Sequence, residues 1–295
     1  MILARIFFSL FVLIPIVLGI RNLVRFKSVA IDQKQKLYRV AINSAVLYAI
    51  AYNLIFFVQE LFLVLGKKSL GLTAYLYHNN HNWDGEHELT QLMQGSGALT
   101  IFILAILLTI VLLSVKKISE AWRLFLLWLI FHGFIQSIYQ VVTVVFAPYS
   151  DMGQVFVGHF SSSEAVTVIM SLIGFLLIVL FCFWFTRQLL GFAPKETNGS
   201  IPKERLRHIR YIAVISAALG TLLILPFRLP PWEQALSPLL ILTTVIPWVW
   251  VSATFSGRTT HSSENLKDRI RWIPVVFLIL LLVVFIFVLA PGIRF

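Results

Sequence analysis

The chain has 295 residues, of which 59% are hydrophobic and 13% charged, with a formal net charge of +11 and a mean hydropathy of +0.88. So little polar surface cannot cover so much apolar mass in water, which excludes an ordinary soluble domain and predicts an all-α, polytopic transmembrane helical bundle in a lipid bilayer. Basic residues beside anionic lipid account for the positive balance, and with no hydrophilic domain to carry such a role, nucleic acid is excluded as a partner.

Apolar stretches near the length that crosses a hydrocarbon core fall at 2–20, 40–65, 91–115, 124–147, 165–186, 211–227, 236–255 and 273–290, which predicts about eight spans. In the first, Arg21, Arg25 and Lys27 follow the apolar run instead of preceding it, so it reads as a retained anchor and not as a signal peptide. After the second comes an external histidine-rich loop, 67–90. The fifth span holds Cys182, the sole cysteine, so disulfides and cysteine-based metal sites are excluded. The sixth is short and ends at Pro226, so it either crosses or forms a re-entrant hairpin with the seventh across Pro230-Pro231.

Charge sets the expected orientation. Segments 21–39, 116–123, 187–210 and 256–271 carry 6, 3, 6 and 4 Lys or Arg, which is 19 of the 24 basic residues on one side. The positive-inside rule makes these cytoplasmic, with both termini outside a bacterial inner membrane. Lys67 and Lys68 are exceptions, expected to reach headgroups at the outer end of the second span. The basic linker 187–210, with the turn KERLRHIR at its end, divides a front part, 1–186, from a rear three-helix part, 211–295. Within it Asn198-Gly199-Ser200 has the glycosylation-acceptor form by chance, and His208 reads, like His261, as a surface residue. Segment 262–272 is expected to lie along the inner membrane surface.

The loop after the second span concentrates the chemistry. Residues 78–88 hold His78, His81 and His87 together with Asp84, Glu86 and Glu88. Imidazole and carboxylate are donors that zinc or another divalent metal accepts, and His78 and His81 are close enough in sequence to share one ion. Asp151 and His159 follow the fourth span and share its outer side, so His78, His81, His87, Asp151 and His159 form the candidate metal set. A hydrated external loop without an ion explains the same polarity, with Tyr77 and Trp83 as headgroup anchors. Glu60, between Phe57 and Phe62, is the sharpest candidate for catalysis, since an ionisable group in an apolar span is costly and tends to be functional. His132 reads as a hydrogen-bonding helix packer. Gln136, Tyr139 and Gln140 follow it at helical spacing, which allows a polar internal seam.

Three stretches in 55–154 come in a suggestive order: Gln59-Glu60-Leu61-Phe62-Leu63, then Gln94-Gly95-Ser96-Gly97-Ala98, then Ser150-Asp151-Met152-Gly153-Gln154. This order resembles the core of the site-2 protease family of intramembrane zinc metalloproteases, which carry HExxH in one helix, small residues opening the next, and an Asp-Gly motif that supplies the last zinc ligand. Both histidines of HExxH are replaced here, by Gln59 and Leu63. The resemblance therefore implies a fold relative that has lost peptidase activity, or one whose metal has moved outward to His78, His81 and His87.

Three functions follow as expectations. The first is a degenerate metalloprotease-like protein with an outward-facing His/Asp/Glu site. The second is a small-solute transporter with Glu60, His132 and Gln136 lining its path. The third is a non-catalytic subunit or scaffold bound to other membrane protein subunits.

Overall fold

The computed structural model describes residues 2–25, 34–115, 117–193, 202–256 and 270–295. Eight helices within them are long and apolar enough to cross a membrane: α1 Ile2–Arg25, α2 Lys34–Ser69, α3 Thr90–Ser114, α4 Glu120–Thr143, α5 Glu164–Leu190, α6 Pro202–Arg228, α7 Trp232–Phe255 and α8 Trp272–Leu289. The protein is an all-α, multi-pass membrane bundle. Helices dominate because the bilayer core offers no water to backbone N–H and C=O groups, and a helix satisfies them within one segment.

The sixth span differs from its expected extent. It begins at Pro202 and not near 211, so the basic KERLRHIR turn is its first part, and at 27 residues it has crossing length on its own. Proline suits the first helical position, where its missing N–H costs nothing, and Leu206 and Ile209 then bury against the bundle. His208 is buried with them, its Nε2 3.3 Å from the Leu189 carbonyl, so it is no surface residue. Asn198-Gly199-Ser200, His261 and most of 262–272 lie outside the described residues, as does the middle of the 187–210 segment.

Helices α2 and α4 form the centre. Their spanning windows are 56% and 61% buried, against 17–28% for α1, α3 and α8, which turn apolar side chains outward. Trp128 of α4 donates to Ser44 Oγ of α2 at 3.0 Å, and Ser44 donates onward to the Ile212 carbonyl of α6 at 2.8 Å. Such bonds specify which helices neighbour one another where apolar contact alone is indiscriminate, since lipid tails are as apolar as leucine. His132 sits deep in this centre, ringed by Tyr48, Tyr52, Trp128 and Phe131.

One end of the bundle carries a small sheet where a histidine-rich loop is expected from sequence. Strands β1 Thr73–Leu76 and β2 His81–Asp84 pair antiparallel, and β3 Ile293–Arg294, at the other end of the chain, pairs with β1 to give the order β2-β1-β3. Strand alternation explains which side chains matter. Ala74 and Leu76 bury, their cross-strand partners are Trp83 and His81, and Asn82 and Asp84 face outward. The hairpin is thereby laid on the end of α2 with His81 and Trp83 turned inward.

Candidate functional site

The site is assembled by three close approaches around the α2 end. A Cβ on Gly97 would lie 2.7 Å from the Gln59 carbonyl and 2.8 Å from Leu63 Cγ, so only glycine lets α3 reach α2 at that level. Two residues earlier, a Cβ on Gly95 would lie 3.0 Å from Val155 Cγ2, which brings in the segment after α4. There Ser150 Oγ accepts from the Gly153 N–H at 3.3 Å and caps the short helix Asp151–Gly153. The cap puts Asp151 at a helix N-terminus, where unpaired N–H groups favour a carboxylate. The three stretches that carry the family resemblance thus meet in space.

Glu60 and His81 are the centre of this meeting. His81 Nδ1 lies 2.8 Å from Glu60 Oε2, with the two side chains 8% and 6% exposed. On the other edge of the ring, His81 Nε2 lies 3.2 Å from Gln94 Oε1. Two acceptors flank the imidazole, so both nitrogens serve as donors and the ring suits the imidazolium form. Burial by itself would discourage that charge, but the hydrogen bond and negative charge of Glu60, with Asp151 and Gln94 behind them, outweigh it and hold the His81 pKa above its ordinary value.

Behind the pair runs a polar chain. Gln59 Nε2 donates to Glu60 Oε1 at 3.4 Å, and Gln140 Nε2 of α4 donates to Gln59 Oε1 at 2.9 Å and to the Gln136 carbonyl at 3.3 Å. In front, the Trp83 ring stacks on His81 with centroids 5.9 Å apart, and Lys67 Nζ stands 4.4 Å over the indole while donating to the Thr90 carbonyl. Lys67 is buried, so it does not snorkel outward as expected, and Trp83 packs against both it and His81. Asp151 feels Glu60, His81 and Lys67; burial first, and then the Glu60 charge, push its carboxyl up to about 6 against the pull of the two cations.

The candidate metal set does not assemble. Of its members, His81 and Asp151 share this site with Glu60. His78 lies on the far side of the hairpin turn, where the charge of Arg228 acts on it. His87 spends its Nδ1 accepting from the Leu89 N–H at 3.1 Å in an exposed turn, and His159 packs on the Phe160 ring at 5.0 Å. Zinc needs several free donor atoms converging on a point. Both His81 nitrogens are engaged, Gln59 and Leu63 replace histidines, and no group of three His, Cys, Asp or Glu residues among those described could hold an ion. A metal does not fit the residues present.

No family model, curated protein or solved structure matches this chain.

The structure adds Gln94, Trp83 and Lys67 to the site. Lys67 carries a signal in that it breaks the charge asymmetry, and Gln94 opens the stretch Gln94-Gly95-Ser96-Gly97-Ala98 with nothing local to mark it as a partner of His81.

Proposed function

We propose that this chain is a site-2-protease-like membrane protein with a degenerate site facing outward, in which an imidazolium–carboxylate pair stands where a metalloprotease would need a metal. The observation that carries the reading is His81 bound between Glu60 and Gln94. A general-base Glu in a metallopeptidase acts on metal-bound water; here Glu60 is held by a side-chain cation instead. The pair, with Asp151 and Lys67 beside it, binds polar groups and exchanges protons and does not hydrolyse peptides. The orientation follows the charge asymmetry, with the hairpin end outside a bacterial inner membrane.

Restoring the missing donors tests the kinship. The double substitution Q59H/L63H rebuilds two imidazoles four residues apart on one helix face, flanking Glu60 and near Asp151. The expected outcome is a stoichiometric zinc in the variant, lost again on adding Asp151→Ala. A folded variant that takes up no more zinc than wild type overturns the reading.

A transport function is the second reading, favoured by the polar chain Glu60–Gln59–Gln140 running toward Gln136, whose Nε2 is buried without a partner, as is Gln140 Oε1. Reconstituted protein that moves protons or a solute in a Glu60-dependent manner would favour it.

A further inference from the structure

Arg228 closes α6 at the same end of the bundle as the hairpin and is fully buried. Its guanidinium carbon sits 3.4 Å from the Phe56 ring centre and 5.2 Å from that of Tyr52, and Nη2 donates to Asn53 Oδ1 at 3.2 Å. Nε and Nη1 have no acceptor. Among the described residues no carboxylate forms an ion pair with it; Glu60, whose charge it feels, is committed to His81 and Gln59. Aromatic faces and one amide oxygen offset part of the cost of a buried guanidinium, but a cation removed from water with donors unspent calls for an anion.

The hairpin turn supplies a second unspent group. Asn79 Nδ2 donates to the carbonyls of Arg228 and Pro230 at 3.2 and 2.8 Å, which pins the turn to the end of α6. Next to it, His78 Nδ1 is buried without a partner. Burial, and then the Arg228 charge, lower the pKa of His78 and favour the neutral ring, which keeps one N–H to give. Leu229 and Trp232, exposed at 43% and 63%, follow Arg228 at the level where a span leaves the bilayer.

We propose that Arg228 and His78 form an oxyanion-binding site for a phosphate group, separate from the Glu60–His81 site and independent of how that site is used. Guanidinium donors match phosphate oxygens in geometry and charge, and a position at a span end is open to both a phospholipid headgroup and free phosphate. Entry requires the His78–Asn79 turn to part from Arg228, where the two Asn79 bonds now hold it.

The test uses full-length protein, stripped of lipid in an uncharged detergent, and follows its thermal unfolding. One titration adds inorganic phosphate at constant ionic strength; the other adds mixed micelles containing phosphatidylglycerol. Wild type should be stabilised in a saturable way by at least one probe, and H78A and R228M should each raise the half-saturating concentration about tenfold or more, as expected for loss of a charge-assisted hydrogen bond. Stabilisation by phosphate alone identifies free anion as the occupant, and stabilisation by phosphatidylglycerol alone identifies the headgroup. H78A leaves the guanidinium in place, so it reports even if R228M fails to fold. Absence of saturable stabilisation in wild type, or an unchanged half-saturation in H78A, overturns the proposal.

Discussion

His81, on a strand, places its Nδ1 2.8 Å from Glu60 Oε2, on a membrane-spanning helix 21 residues earlier in the chain. This bond joins the hairpin to the bundle and favours the charged form of His81. Removing one partner leaves the other as an uncompensated buried charge, which typically costs about 3–5 kcal/mol. His81→Ala and Glu60→Ala should each destabilise on that scale, while E60Q/H81Q, which removes both charges, should cost much less than the two single losses together. A double-mutant cycle of wild type, Glu60→Gln, His81→Gln and E60Q/H81Q, followed by unfolding, measures the coupling; an additive result would mean that the pair is not an ion pair.

Stability should fall as pH rises. The His81 pKa is raised on folding, so its contribution is fully present below the ordinary value of 6.5 and is lost as pH climbs through the folded value. Asp151, raised from 3.8 to about 6, acts in the same direction at lower pH, its contribution being lost between those values. Thermal unfolding from about pH 4 to pH 9 should show both slopes. Asp151→Asn should flatten the acid part and stabilise the protein near neutrality by up to about 3 kcal/mol; His81→Gln should flatten the part above 6.5.

Gly97 controls the approach of α3 to α2. Its replacement by Ala puts a methyl 2.7 Å from the Gln59 carbonyl, and overpacking of this kind costs about 1–3 kcal/mol. The same change should loosen His81 from Gln94, because Gln94 enters the site three residues ahead of the contact. A lower unfolding temperature together with a weaker pH slope above 6.5 is the expected pattern. Destabilisation with an unchanged slope would separate the helix contact from the charge site.

Trp128→Phe keeps the aromatic core but removes the donor to Ser44 that joins α4 to α2. The expected loss is about 1–2 kcal/mol, measured by denaturant unfolding in detergent, with no change in the pH profile, since Trp128 has no contact with Glu60 or His81.

The spans were legible because a hydrocarbon core demands length and apolarity, which any window of sequence displays. The start of α6 was not: Pro202 through Arg210 is polar by composition, and it is helical because Leu206, His208 and Ile209 bury against neighbours. The three-stranded sheet was half legible. Alternation at Thr73–Leu76 is a strand signal, but β3 gains its place only by pairing with a strand more than two hundred residues away. Glu60 and Asp151 were brought to one site as expected, because both follow from span ends on one side. The histidines were not, since residues three apart straddling a hairpin turn share no face: His81 turns toward Glu60, and His78 does not join it. Arg228 had a signal that the charge asymmetry already contained, being a basic residue on the side where few occur.

The central claim is that the cation beside Glu60 is the ring of His81 and not a metal. Elemental analysis of the detergent-purified protein, prepared without chelator alongside His81→Ala, tests it most directly. The account predicts far less than one equivalent of zinc or any other divalent metal in wild type, and the same trace level in the variant. One equivalent bound by wild type and lost in His81→Ala would contradict it.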